Sequence, residues 1–148
     1  MMRVACVLLI GLFGISCTKE HRGTIIGAWA GDNVTITKGK ETISVPIEKY
    51  GYLNLLLNRD STYTLSLAVL KDVRVEKKIF GVTANTVLIP AIYKSTRYGK
   101  WMRADSGFKL SSQEGGIFVL PTTDFEALIL NFTDAEGRAW LASLEPKE

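Results

Sequence analysis

The stretch "STYTLSLAVL", residues 61–70, alternates two kinds of side chain with a period of two. Tyr63, Leu65, Leu67 and Val69 point one way, and Thr62, Thr64, Ser66 and Ala68 point the other. Successive side chains of an extended chain leave opposite faces, so this pattern describes a strand with one face in a core and one toward water. The same reading extends in both directions. "NVTIT" (33–37) sets Val34 and Ile36 against Thr35 and Thr37. "VRVEKKIF" (73–80) places Val73, Val75 and Ile79 on one face, interrupted by Lys77, opposite Arg74, Glu76 and Lys78. "ALILNFTD" (127–134) and "RAWLASL" (138–144) are further β-rich runs, with Leu128, Leu130 and Phe132 on the expected inner face.

Turn chemistry separates the runs. "NRDS" (58–61), "ADSG" (104–107) and "DAEG" (134–137) gather residues whose short polar side chains or bare Cα tolerate turn dihedrals. With such signals recurring every 8–15 residues or so and no long helical pattern, residues 24–148 read as an all-β domain. The expected architecture is a single antiparallel meander closing into a barrel of eight to ten strands. The candidate runs are 24–30, 33–38, 42–47, 51–58, 62–70, 73–80, 84–93, 97–103, 107–111, 117–120, 126–133 and 137–144, some of them pairing weakly or serving as loops. Closure would remove the unpaired sheet edges that invite aggregation. An interior of about eight strands is wide enough either to be filled by side chains or to hold one small ligand, and the sequence leaves both open.

The N-terminus has a different character. "VLLIGLFGISCTKEHR" (7–22) follows Arg3, and Val4 to Ile15 carry no charged or strongly polar side chain. That run is too short for a bilayer core, which takes about 20 residues, but it suits the apolar centre of a secretory signal. A buried core helix would instead need an amphipathic pattern. "GISC" resembles the lipobox of bacterial lipoproteins, in which the cysteine after a small residue becomes the lipidated mature N-terminus. Gly14 departs from the leucine usual in that motif, while Ser16 suits its Bacteroidota version. The resemblance implies a signal peptide over 1–16, a lipidated Cys17 (palmitate among its acyl chains), a polar tether over 17–23 and the folded domain over 24–148. Several acyl chains, at about 0.8 kcal/mol per buried methylene, would hold the protein to the cell envelope, expectedly the outer membrane of a Gram-negative bacterium.

Charge and cysteine usage narrow the field further. The only cysteines are Cys6 and Cys17, and the only histidine is His21, so the domain has no internal disulfide and no histidine chemistry of its own. Without Arg3 the chain keeps 17 basic and 15 acidic residues, a net +2, too little to argue for a nucleic-acid partner. No G-x-S-x-G, H-E-x-x-H, phosphate-binding loop or C-x-x-C occurs, so no enzyme, metal or cofactor is expected.

Four segments, in order, resemble lipocalin-like β-barrels: "TIIGAWAG" (24–31) with Gly27-x-Trp29, "LNLLLNRDSTYTLSL" (53–67), "YGKWMRADSGFKL" (98–110) and "ALILNFTDAEGRAWL" (127–141). The resemblance implies a barrel-end motif of Gly27, Trp29 and Arg138, in which the arginine stacks on a tryptophan, with Trp140 as the other available ring. Core packing is the plainer role for Trp29, Trp101 and Trp140. The segment most suggestive of a contact surface is "YKSTRYGKWMR" (93–103), where Tyr93, Arg97, Tyr98, Lys100, Trp101 and Arg103 interleave charge and aromaticity. Behind an export signal, such a face suits an acidic glycan or a lipid headgroup; it also reads as a solvated strand beside a core tryptophan. Two functions are therefore expected. One is a lipid-anchored protein holding a small apolar or amphipathic ligand in the barrel. The other is an envelope module with a filled core that docks on a protein or acidic glycan.

Overall fold

The computed structural model describes residues 24–91, 93–113 and 115–148, so the leader, Cys17 and the tether lie outside the described residues. Among the described residues eleven strands follow one another: β1 (Gly27–Lys38), β2 (Glu41–Pro46), β3 (Gly51–Leu57), β4 (Thr62–Val69), β5 (Val73–Ile79), β6 (Val82–Ile89), β7 (Tyr93–Ala104), β8 (Gly107–Leu110), β9 (Ile117–Pro121), β10 (Leu128–Thr133) and β11 (Ala139–Pro146). A 3-10 turn, Ile47–Lys49, joins β2 to β3.

Eight strands close an antiparallel barrel in the order β1-β3-β4-β7-β8-β9-β10-β11, with β11 returning to β1. Strand β1 merges the two runs expected at 24–30 and 33–38 and changes neighbour halfway. Its first half pairs with β3, Trp29 opposite Leu55. Its second half pairs with β2, Ile36 opposite Ile43. The change falls at a bulge, where the register against β11 moves from Gly31 opposite Leu144 to Val34 opposite Ala142. Leu53 of β3 packs so closely there that a Cβ on Gly31 would lie 2.9 Å from the Leu53 Cβ. The chain departs from a plain meander at β5 and β6, which form a separate two-stranded hairpin while β4 pairs directly with β7.

The period-two pattern becomes the inside and outside of the wall. Tyr63, Leu65, Leu67, Val69, Leu128, Leu130 and Phe132 are all buried, as are Trp29, Val34, Ile36, Leu110, Val119 and Trp140 from the other strands. Each such large apolar side chain contributes about 1.5–3 kcal/mol on leaving water. The outer positions of β4 and β7 instead carry Thr64, Ser66, Lys94, Thr96 and Lys100, none of them buried. Elsewhere the outer face is mixed, with Leu56, Phe118, Leu120 and Leu141 exposed on β3, β9 and β11.

The barrel has two distinct ends. Gly27, Leu57 and Pro146 lie at the near end, and Val69, Tyr93, Thr133 and Ala139 at the far end. The β5–β6 hairpin leaves from the far end, with Val73 and Ile89 buried at its base. Asp72 fastens that base, accepting from the Ala91 amide at 2.8 Å and from Arg74 Nη2 at 2.7 Å. From there the hairpin reaches across to β2, where Lys77 forms an ion pair with Glu41.

Candidate functional site

The shortness of β8 and β9 creates the most distinctive local feature. The ladder between β7 and β8 covers only Trp101–Ala104 of β7, and that between β9 and β10 only Leu128–Asn131 of β10. Among the described residues, no strand therefore lies between the Tyr93–Gly99 half of β7 and the Phe132–Thr133 end of β10. This leaves a gap in the far half of the wall, bordered by the loop between β8 and β9.

Arg97 fills the gap. Its side chain is buried, and Nη2 reaches across to donate to the Thr133 carbonyl at 3.4 Å. The guanidinium also sits over the Phe132 ring, 5.1 Å from its centroid. Beneath Phe132 lies Trp140, with centroids 5.8 Å apart and planes within 5°. Beneath Trp140 lies Tyr93, at 6.3 Å and 16°. Arg138 closes the column, 4.8 Å from the Tyr93 centroid. The result is a five-layer stack of cation, three rings and cation. Because ring faces carry the negative lobes of the quadrupole, a cation at each end is the favourable arrangement, and centroid separations near 6 Å indicate offset rather than face-centred stacking.

Asp134 fixes the far layers. Its Oδ2 accepts from Arg138 Nε at 2.6 Å and from Trp140 Nε1 at 2.9 Å. Its Oδ1 accepts from the amides of Glu136 and Arg138, both at 3.0 Å, which also closes the 134–137 turn. Burial alone would raise the Asp134 pKa. The hydrogen bonds from Trp140 and Arg138, together with the Arg138 charge, outweigh it and hold the carboxyl below its ordinary range. Burial raises the Tyr93 hydroxyl pKa, helped by the Asp134 charge and opposed by Arg138 and Arg97. Arg138 also meets Glu136 Oε2 at 3.0 Å and donates from Nη1 to the Leu88 carbonyl at 3.3 Å, tying the stack to β6.

The residues singled out from the sequence fall into separate places. Gly27 and Trp29 lie at the near end and Arg138 at the far end. The antiparallel register sets Trp29 opposite Pro146 but Thr37 opposite Ala139, so about 26 Å of strand separates them. The ring under the Arg138 guanidinium is Tyr93, and the sheet does not bring Gly27, Trp29 and Arg138 together. Trp29 is fully buried and donates from Nε1 to the Ile25 carbonyl at 2.9 Å. Gly27 has φ 140°, a conformation open to glycine and costly for other residues.

Strand parity divides the 93–103 segment. Tyr93 and Arg97 turn inward and join the stack. Trp101 is half-buried, edge-on to Phe108 at 5.7 Å, and donates from Nε1 to the Asn58 carbonyl at 3.1 Å. Arg103 is exposed beyond the near end. Tyr98 and Lys100 share the outer face with Lys94 and Thr96, next to Thr62, Thr64 and Ser66 of β4. Tyr98, 76% exposed, borders a concavity of about 210 Å³ lined also by Thr96, Arg97, Ser112 and Gln113. From the sequence Asp134 is a turn residue only; its part in the stack appears in the structure. The signal available was its spacing, four residues before Arg138 and six before Trp140.

Among the described residues, no group of three or more His, Cys, Asp or Glu side chains comes together to hold a metal ion. No protein-family model matches the chain, and no curated protein resembles it closely enough to count as a match.

Proposed function

We propose that this chain is a non-catalytic, lipid-anchored module of a bacterial cell envelope that recognises an acidic glycan on the outer face of β4 and β7. The observation that carries this reading is the occupied barrel interior. Trp29, Tyr63, Trp140 and the buried leucines of β3, β4 and β10 take up inward positions. A small apolar ligand in the lumen, the other function this barrel class allows, would have to displace close-packed side chains. Recognition then falls to the outside of the wall. There Tyr98 presents an open ring, Thr64, Ser66 and Thr96 offer hydroxyls, Gln113 offers an amide, and Lys94 and Lys100 stand at either end of the row. A ring stacks on the C–H face of a sugar, hydroxyls and amides pair with its hydroxyls, and ammonium groups pair with carboxylates. The anchor rests on Arg3, the apolar run that follows it, and "GISC".

The test uses the full chain on an array of neutral and uronic-acid-containing oligosaccharides. Retention of the acidic members, weakened by salt and lost about tenfold or more in Tyr98→Ala, is the expected result. That loss corresponds to roughly 1.4 kcal/mol. Native mass spectrometry of protein from the host tests the other function: a small apolar molecule that co-purifies would move recognition into the lumen. Labelling by a fatty-acid probe in the host, abolished by Cys17→Ala, checks the anchor separately.

A further inference from the structure

The β5–β6 hairpin ends in a turn whose chemistry serves no purpose inside the chain. Ile79 pairs with Val82, leaving Phe80 and Gly81 as a two-residue loop with φ 50° and 80°. Two successive left-handed residues make a type I′ turn, for which Asn-Gly or Gly-Gly is preferred. Phenylalanine in that conformation is sterically costly, and Phe80 recovers nothing by burial, being fully exposed. Ile79 and Val82 beside it are exposed as well. The three form an apolar point at the tip of a hairpin that stands outside the barrel wall.

Cations surround the point. Lys77 and Lys78 precede it on β5. The Lys77–Glu41 ion pair brings the hairpin against the β1–β2 turn, which adds Lys38 and Lys40. All four lysines are exposed. Of the acids nearby, Glu41 is engaged by Lys77, Asp72 is engaged by Arg74 at the hairpin base, and Glu76, on the same face as Arg74 and Lys78, lies further from the tip than Lys78. A convex apolar tip with a collar of lysines is the arrangement that enters a bilayer interface. The apolar side chains gain by reaching the acyl boundary, while the ammonium groups stay at the level of anionic phosphates.

We infer that the far-end hairpins dock on an anionic lipid surface, with Ile79, Phe80 and Val82 inserted and Lys38, Lys40 and Lys78 on the headgroups. The tip lies at the end of the barrel opposite Gly27, where the preceding chain enters. The contact is thus distinct from any lipid carried on Cys17 and from the glycan face proposed above.

The test is tryptophan fluorescence of the full-length Phe80→Trp protein, with the wild-type spectrum subtracted. Vesicles of phosphatidylcholine alone are compared with equimolar phosphatidylcholine and phosphatidylglycerol. The expected result is a blue shift on the anionic vesicles only, reversed by high salt, quenched by brominated acyl chains and lost when Lys40→Glu and Lys78→Glu are added. An acyl chain on Cys17 would hold the protein to both vesicles alike and leave the tip spectrum unmoved. A difference spectrum that remains that of a water-exposed indole on both vesicles overturns the inference. So does a shift of equal size on both, or a tip that becomes shielded only when envelope protein is supplied.

Discussion

The indole of Trp140 and the ring of Phe132 lie within 5° of parallel, with centroids 5.8 Å apart, at the centre of a stack that ends in an arginine on each side. This pair links β10 to β11 just where the wall has lost its neighbouring strand, so it carries packing that a ladder would otherwise supply. Phe132→Leu keeps an apolar side chain but removes the ring contacts to both Trp140 and Arg97. Trp140→Phe keeps a ring but removes the indole N–H from buried Asp134. Each change is expected to lower stability in urea by about 1–3 kcal/mol. A double-mutant cycle of Phe132→Leu with Trp140→Leu, which removes both rings, should then give a coupling of about 0.5–1.5 kcal/mol, because the two residues share one contact. Strict additivity would deny the stack any energetic role.

Asp134 sets the acid limit of the fold. Its folded-state pKa lies below the ordinary value, so its contribution to stability is present above the unfolded-state pKa of about 3.9 and is lost as pH falls through the folded value. Urea midpoints should be level between about pH 5 and 7 and decline below about pH 4. Asp134→Asn leaves buried Arg138 with only the exposed carboxylate of Glu136 and should cost about 3 kcal/mol at neutral pH. The same variant should flatten the acid limb relative to wild type. An acid limb equally steep in Asp134→Asn would assign the acid sensitivity to other carboxylates.

The sequence makes local parity legible and leaves long-range register illegible. The inward residues of β4 and β10 follow from alternation alone, and the turns at 58–61 and 134–137 from their Asn, Asp, Ser and Gly content. Parity also contained the division of the 93–103 segment, since Tyr93, Arg97 and Trp101 are separated by even steps and Tyr98 and Lys100 fall on the other face. The distance between Trp29 and Arg138 was not available. It depends on where β11 pairs along β1, a register between strands about a hundred residues apart that carries no local signal. The departure of β5 and β6 from the barrel was equally hidden, because a hairpin and two wall strands have the same period. A visible hint was the exposed apolar tip "IFGV" (79–82), where a wall-strand hairpin would carry polar turn residues.

Gly99 tests how tightly β7 meets the edge of the gap. A Cβ there would sit 2.2 Å from the Ser111 carbonyl oxygen and 3.3 Å from Tyr63 Cε1. The Tyr63 hydroxyl donates to that same carbonyl at 3.0 Å, and the Ser111 amide donates to the Lys100 carbonyl at 2.9 Å. The obstacle is therefore backbone held by two hydrogen bonds, not a mobile side chain. Gly99→Ala should destabilise by about 1–3 kcal/mol and accelerate amide exchange at Ser111 before other amides of the sheet. Exchange that rises uniformly would place the strain elsewhere.

Phe80 supplies a prediction of opposite sign. Its φ of 50° costs about 1–2 kcal/mol relative to a right-handed residue, and full exposure means that no packing is lost on replacing it. Asparagine tolerates this conformation and precedes glycine in the preferred form of the turn. Phe80→Asn should therefore stabilise the protein by about 0.5–1 kcal/mol, raising Tm by roughly 3–5 °C for a domain of this size. Phe80→Ala provides the control, since alanine removes the ring but keeps the steric penalty of its Cβ, and its Tm should stay near that of wild type. Gly81→Ala should lose about 1 kcal/mol, because φ is 80° there and nothing lies within 4 Å of the added Cβ. The informative pattern is a more stable Phe80→Asn protein that no longer reaches anionic vesicles, which would show a strained aromatic maintained at the tip against the preference of the fold. A Phe80→Asn protein no more stable than Phe80→Ala would mean that the turn carries no such strain.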